Sequence, residues 1–445
     1  MHKYLTGLSY FIVLLLWNLS AVLAQDFQVG QQVFLHAKKP VGVPLHHEPS
    51  PSYLKHVPGG STAVIQHISQ EGPWLHILLD SGEVHWIHRQ YVRVSTAPSR
   101  PLIAQTPSSP QIPERPKASM GSEHAVWTSK EQCQAAVQKG LRMVEASSST
   151  LRIATWNLRW FPIGTSPDRP VSSAGPTDID WLICVLQWMQ VDIVAIQESL
   201  GTPEAAQAWK TITSQLSTQA GNTWRWYQQP CGRPDNHHIG LLWNDTRVAL
   251  SDFDSLWQFN AKARSAATPC ASSLRPGQYA YVQSRKKEGV NFHLIALHLK
   301  SGPTVFAVEK RQKALNRIDQ TVKTLLDSDR DVVILGDFNT MGAGDWHSQK
   351  SEIKYIRRMV RKEKPGFEDL PLKPQCSHYF RGRGGWLDHV LVAKDMKEVT
   401  ATSATVTGYC AIADCQRIQG DYPPAYRRLS DHCPVILEIA NRTDD

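Results

Sequence analysis

Eight polar residues stand at the ends of apolar runs. Asn157 follows residues 153–156, Glu198 follows 193–197, and His298 closes 294–297. Asp337 and Asn339 follow 333–336, Asp388 precedes 389–392, and Asp431 and His432 precede 433–437. The ends of buried strands are where a rigid sheet presents side chains to a cleft. Singly, each has an ordinary explanation: an Asp after a strand serves turns and caps, and an isolated His is commonly a satisfied structural group. Together they supply four carboxylates, two imidazoles and two amides. Carboxylate and amide oxygens suit a hard divalent cation, and imidazoles supply proton transfer or positive charge beside a phosphate.

The elements that must hold these residues follow from hydrophobic pattern. Strands are predicted at 151–156, 192–197, 240–243, 279–282, 292–297, 332–335, 388–393 and 434–438. Helices are predicted over 129–145, capped by Thr128 or Ser129, over 178–189, capped by Thr177, over 203–216, and over 306–326. Strands interleaved with helices imply an α/β unit, two sheets with helices outside.

Upstream the texture changes. Residues 27–94 read as short alternating strands broken by Gly, Pro and Asp80-Ser81-Gly82 turns, a small all-β unit. Residues 95–122 carry Pro98, Pro101, Pro107, Pro110, Pro113 and Pro116 among Ser and Thr, an extended linker. Lys3 and the apolar run 8–23, ending in Val22-Leu23-Ala24, form a signal-peptide pattern over residues 1–24. Export to the periplasm or the medium is therefore expected. The mature chain is expected to lack a transmembrane segment and to be a monomer. The net charge of +8 favours polyanionic partners but does not choose among nucleic acid, anionic lipid and cell-wall polymer. Eight cysteines contain no CxxC pair, which argues against a zinc ribbon. Cys410 with Cys415 is the expected disulfide, Cys231 with Cys270 a second, and Cys184 a buried free thiol.

The runs Thr155-Trp156-Asn157-Leu158, Ala195-Ile196-Gln197-Glu198-Ser199, Leu297-His298-Leu299-Lys300-Ser301, Leu335-Gly336-Asp337-Phe338-Asn339, Trp386-Leu387-Asp388-His389 and Leu429-Ser430-Asp431-His432-Cys433-Pro434 occur in one order across the chain. They resemble the endonuclease/exonuclease/phosphatase superfamily, which includes deoxyribonuclease I, abasic endonucleases, neutral sphingomyelinases and inositol-polyphosphate 5-phosphatases. Residues 27–94 resemble, more loosely, a bacterial SH3-like domain that binds cell-wall peptide or protein. The resemblance implies a four-layer α/β sandwich of the deoxyribonuclease I type over 123–445, preceded by a small all-β SH3-like barrel.

It also implies roles. Glu198 would be the principal ligand of Mg²⁺ or Mn²⁺, with Asn157 and Asp431 near the same ion. Asp337 and Asn339 would orient or deprotonate the attacking water. His432, oriented by Asp388, is the matching catalytic His, as base or as charged stabiliser, and His298 would contact the phosphate or leaving oxygen. Arg381, Arg383 and Arg428 are the expected substrate-binding cations. Two positions depart from the pattern. Leu200 stands where DNA-cutting relatives carry Arg, and no acid obviously pairs with His298, for which Asp235 is the candidate.

The expected activity is an exported, Mg-dependent phosphodiesterase, a nuclease on DNA or also RNA, with endo or exo action open. A phosphoinositide phosphatase or sphingomyelinase-type lipid hydrolase is the alternative. A cell-wall-associated binding protein is a third, disfavoured because every metal and His position of the pattern is retained.

Overall fold

A computed structural model describes residues 32–36, 43–46, 55–58, 60–68, 74–79 and 84–94, and then 117–442 apart from 146, 168–173, 273, 324, 326–328, 344–347 and 363–365. The expected signal peptide, residues 1–24, lies outside the described residues. The chain divides into two compact units, 1–109 and 110–445.

The described residues of the first unit are mainly β. Gln32–Leu35, Thr62–Ile68, Trp74–Leu79, Val84–His88 and Val92–Val94 form a five-stranded antiparallel sheet, with Val43–Leu45 and Lys55–Val57 as a separate pair. In Trp74–Leu79 every second residue is buried, so Leu75, Ile77 and Leu79 face the core. That period of two is the physical content of the strand pattern in the sequence.

The second unit holds two mixed sheets whose middle strands pack on each other. One runs Trp224–Gln228, His237–Asn244, Ile193–Leu200, Thr150–Phe161, Val435–Ala440, Ala404–Val406, Leu372–Lys373. The other runs Val248–Leu256, Gly277–Ser284, Asn291–His298, Val332–Asp337, Asp388–Ala393, Phe367–Asp369. Each contains one central parallel pair, Thr150–Phe161 with Ile193–Leu200 and Asn291–His298 with Val332–Asp337. All six residues of Val332–Asp337 are buried, which is why this strand reads as an unbroken apolar run rather than an alternation. Helices Ile179–Met189 and Pro203–Ala220 pack beside the first sheet, and Val305–Leu315 and Gln349–Val360 beside the second.

Local details differ from the sequence reading in four places, the first being that the helix expected over 129–145 spans only Lys130–Gln138. Residues 117–122, assigned to the linker, begin a helix, Lys117–Thr128: Pro116 is the last proline before it, and within it no proline withholds a backbone donor. Asp178, not Thr177, caps Ile179–Met189, its carboxylate accepting from Trp181 N at 3.1 Å. The single helix expected over 306–326 is two, Val305–Leu315 and Ile318–Val322. Between them Arg317 donates to the carbonyls of Gln258 and Asn260, a tertiary anchor that outweighs helical continuity.

The cysteines pair as Cys133–Cys184, Cys231–Cys270, Cys376–Cys415 and Cys410–Cys433. The Cys231–Cys270 expectation holds. Cys410 does not join Cys415, and Cys184 is not free. Cys410 lies on the buried turn Tyr409–Ile412, where its amide meets Cys433 Sγ at 3.2 Å, while Cys184 faces Cys133 from the neighbouring helix.

Candidate active site

The parallel pairs carry the candidate residues to one place. Asn157 and Glu198 lie near the C-terminal ends of the parallel strands in the first sheet. His298 and Asp337 close the corresponding strands of the second and sit opposite each other in register. Asp388 begins the next strand, paired with Asp337. His432 belongs to the segment just before Val435–Ala440 and forms an isolated bridge with His378. Gly336 permits this convergence: with φ of 141°, a Cβ there would lie 2.0 Å from the Leu297 carbonyl oxygen, so no side chain fits between the His298 and Asp337 strands.

Asp337 is the hub. Its Oδ1 accepts from Asn339 N at 2.8 Å, and its Oδ2 accepts from Asn339 Nδ2 at 3.0 Å and Asn157 Nδ2 at 3.0 Å. Two imidazoles flank Oδ2, with His298 Nε2 at 3.6 Å and His432 Nε2 at 3.9 Å. His432 Nδ1 lies 2.8 Å from Asp388 Oδ2, and Asp388 is fully buried. A donor Nδ1–H toward Asp388 leaves Nε2 facing Asp337 and the cleft.

On the other side Glu198 Oε2 accepts from Trp160 N at 3.0 Å, and Oε1 from Asn157 Nδ2 at 3.1 Å. Asn157 Oδ1 is taken by Arg159 N at 2.9 Å. The Asn157 amide therefore bridges the Glu198 and Asp337 carboxylates through its nitrogen, a positioning contact. Non-glycine residues with left-handed backbone gather here: Arg159 (φ 42°), Trp160 (50°), Glu198 (63°) and Asn339 (54°). Each costs on the order of 1–3 kcal/mol, held by the surrounding structure.

Residues 154–432 match the sequence profile of the Endonuclease/Exonuclease/phosphatase family. The chain belongs to that family. Its members hydrolyse phosphoester bonds, and they characteristically use divalent metal ions. The family domain-containing protein 1 of Bos taurus is 25% identical over 317 residues, and that of Homo sapiens is 26% identical over the same length. Each match covers 66% of this chain and 50% of the relative, so the chain spans about half the length of the curated relatives it matches. Among solved structures, the family protein of Bacteroides vulgatus aligns with a TM-score of 0.45 at 16% identity, covering 66% of this chain and 99% of that one.

The chemistry of these residues fits the family's metal. Burial pushes the Asp337 carboxyl up, and the nearby Asp388 and Glu198 charges push it further, against His432. Such crowded carboxylates are what a divalent cation neutralises. Burial alone would pull the His432 imidazole down, but Asp388 and Asp337 together raise it to about 10. Burial, and then the Arg275 guanidinium, holds His298 well below the usual range, so it is neutral. Asp431 stays ionised. Burial opposes this, but the imidazoles of His378, 3.8 Å from its Oδ2, and of His432 outweigh it.

The predicted cations behave differently from the predicted acids. Arg381 and Arg383 are exposed on the hairpin formed by His378–Phe380 and Arg383–Gly385, Arg381 lying over the Phe380 ring. Arg428 instead reaches the cap residue Asp178, at 3.7 Å. Asp235 does not serve His298: it is exposed and pairs with Arg233 at 3.0 Å. Leu200 is buried and offers nothing to a ligand.

Sequence reasoning missed three contributors. His378 lies against His432, ring centroids 4.5 Å apart, beside Asp431. Arg159 is buried, its guanidinium bonded to the Gly164 and Arg427 carbonyls, and its charge helps keep Asp431 ionised. His237 Nδ1 lies 3.7 Å from Glu198 Oε1. The doubled histidine ahead of an apolar strand was the visible signal for His237; nothing local marks the other two. A separate polar cavity of about 680 Å³ lies at the opposite strand ends, around Arg152, Asp192 and Arg247. The Arg152 and Arg247 guanidiniums are engaged there by Glu438, Asp192 and backbone carbonyls.

Proposed function

We propose that the protein is an exported, metal-dependent phosphodiesterase that hydrolyses nucleic acid, DNA foremost and RNA as well. The observation that carries this reading is the convergence of Asp337, Asp388 and His432 with Glu198, Asn157 and His298 at facing strand ends.

Glu198 would hold the divalent ion, Mg²⁺ or Mn²⁺, with Asp431 as a further carboxylate for it. When bound, the ion supplies charge neutralisation at the phosphoryl oxygens. Asp337, its pKa raised toward the working range, orients the attacking water and takes its proton, with Asn339 holding the carboxylate in place. His432, kept as imidazolium by Asp388, donates from Nε2 to a non-bridging phosphate oxygen as charge develops. Neutral His298 donates to the phosphate or the leaving oxygen. Arg381 and Arg383 hold flanking phosphates, which makes binding salt-sensitive. The basic net charge supports a polyanionic substrate.

Four disulfides support folding in an oxidising compartment and hence export. Among the described residues no helix is long and apolar enough to cross a membrane. The small antiparallel unit is read as an SH3-like positioning module for a cell-wall or protein ligand.

The test is a substrate panel of duplex DNA, single-stranded DNA, RNA and phospholipid vesicles with Mg²⁺ or Mn²⁺, with and without EDTA. DNA cleavage that EDTA abolishes is expected. Lipid headgroup release with DNA left intact would replace the nuclease reading with the lipid-hydrolase alternative.

A further inference from the structure

Two adjacent histidines open the strand His237–Asn244, and they are wired in opposite ways. His238 is satisfied by backbone: Nδ1 lies 3.0 Å from the Gln229 carbonyl oxygen and Nε2 3.1 Å from that of Arg233. The His237 imidazole makes no hydrogen bond among the described residues, and its Nε2 is buried without a partner. It leans on Trp160, ring centroids 4.0 Å apart at 80°, with its Nδ1 aimed at Glu198 Oε1.

His298 approaches the same oxygen from the other sheet. Its Nε2 lies 3.8 Å from Glu198 Oε1, and its ring is nearly parallel to that of His237, 10° apart with centroids at 5.8 Å. His298 Nδ1 is likewise buried without a partner. Two imidazole nitrogens thus converge on one carboxylate oxygen at 3.7 and 3.8 Å, too far for hydrogen bonds. The three donor atoms lie within 4.8 Å of one another. Donors bound to one ion at about 2.1 Å in tetrahedral geometry stand roughly 3.4 Å apart. The two nitrogen-to-oxygen distances close to that by a few tenths of an ångström, and the nitrogen–nitrogen distance, which lies within 4.8 Å, must shorten as well.

We propose that Glu198, His237 and His298 form a three-donor site for a first-row transition-metal dication, Mn²⁺, Co²⁺ or Zn²⁺, in preference to Mg²⁺. A set of two imidazoles and one carboxylate selects by donor type. Mg²⁺ keeps to oxygen ligands and water, whereas imidazole suits the transition metals. The donors rest on strands of both sheets, so the site is held without loop ordering. The inference shares Glu198 and His298 with the proposed hydrolytic site and rests in part on that reading; a metal on His298 Nε2 would take the place of that nitrogen's contact with the phosphate or leaving oxygen. His237 is the residue that turns an oxygen-ligand position into a mixed one.

The experiment uses the full-length protein stripped with EDTA and titrated with Co²⁺, followed by visible absorption and calorimetry, with Mg²⁺ as competitor. One Co²⁺ per chain with visible d–d bands is expected, resisting a large excess of Mg²⁺. In His237→Ala the affinity should fall by at least 10- to 100-fold, the loss that even outer-shell changes bring. His237→Cys, which restores a soft donor, should recover the binding. Equal Co²⁺ affinity in wild type and His237→Ala would overturn the site, as would displacement of Co²⁺ by equimolar Mg²⁺. A folded wild type that binds Co²⁺ yet cleaves no phosphodiester would sink the hydrolase reading and leave this site standing. Mg²⁺-driven cleavage without Co²⁺ binding would do the reverse.

Discussion

The two halves of the site draw on similar side chains and treat them in opposite ways. Asp337, Asp388 and His432 are sealed: all three are buried, and every Asp337 oxygen is hydrogen-bonded. Two disulfides, Cys376–Cys415 and Cys410–Cys433, brace the segments around them. Around Glu198, whose oxygens accept from Trp160 and Asn157, the imidazoles of His237 and His298 are left open: they face one carboxylate oxygen without hydrogen-bonding it, and His237 Nε2 and His298 Nδ1 are buried without partners. A sealed cluster fixes protonation states, because the low-dielectric surroundings amplify each charge. An open cluster keeps unmet valence for something that arrives. On the function proposed above, the difference separates a half arranged for reaction from a half arranged for binding.

Breaking the sealed half should produce the largest effect. His432→Ala is expected to lower kcat by about 10²–10⁴, with KM changed little, as loss of general acid–base assistance does; steady-state kinetics on the substrate cleaved in the panel would show it. A variant with near-normal turnover would end the assignment. Asp388→Asn keeps the shape but removes the charge that orients His432. A loss of roughly 10²–10³ in kcat is expected, as when one electrostatic stabiliser of the developing charge is lost, with the thermal melt close to wild type.

Opening the other half should change metal dependence rather than maximal rate. Glu198→Gln is expected to raise the metal concentration for half-activation by about 10- to 100-fold, read from activity against free Mn²⁺. A large drop in kcat at saturating metal would blur the distinction between the two halves.

Smaller effects lie at the periphery. Cys410→Ser with Cys433→Ser removes a bridge of sequence separation 23, at a cost of roughly 3 kcal/mol in unfolding free energy. The same change at Cys231 and Cys270, on the open side, should lower stability without lowering kcat. Arg381→Ala with Arg383→Ala should weaken DNA binding several-fold and reduce the slope of log affinity against log salt by up to about 2. An unchanged slope would remove the exposed hairpin from the substrate path.

Much of the site was legible because its signal is local. An acid or imidazole just beyond an apolar run marks a strand end, and Asn157, Glu198, His298, Asp337, Asn339, Asp388, Asp431 and His432 each carry that mark in their own neighbourhood. The predicted strands recur in the fold for the same reason, since side-chain period and apolar content are set residue by residue. Cap identity at Asp178 and the break at Arg317 were less legible, because a neighbouring contact decides between adjacent residues of similar propensity.

What the sequence determined by itself was the set of chemical groups and the strands that carry them. Only the tertiary structure decided their pairing: that the Asn157 amide bridges two carboxylates, that His237 faces Glu198 while His238 is spent on backbone, that Cys410 meets Cys433 instead of Cys415. Each of these joins residues from different elements through direction and distance in space. Local propensity carries no information about which side chain will stand opposite once two sheets close on each other.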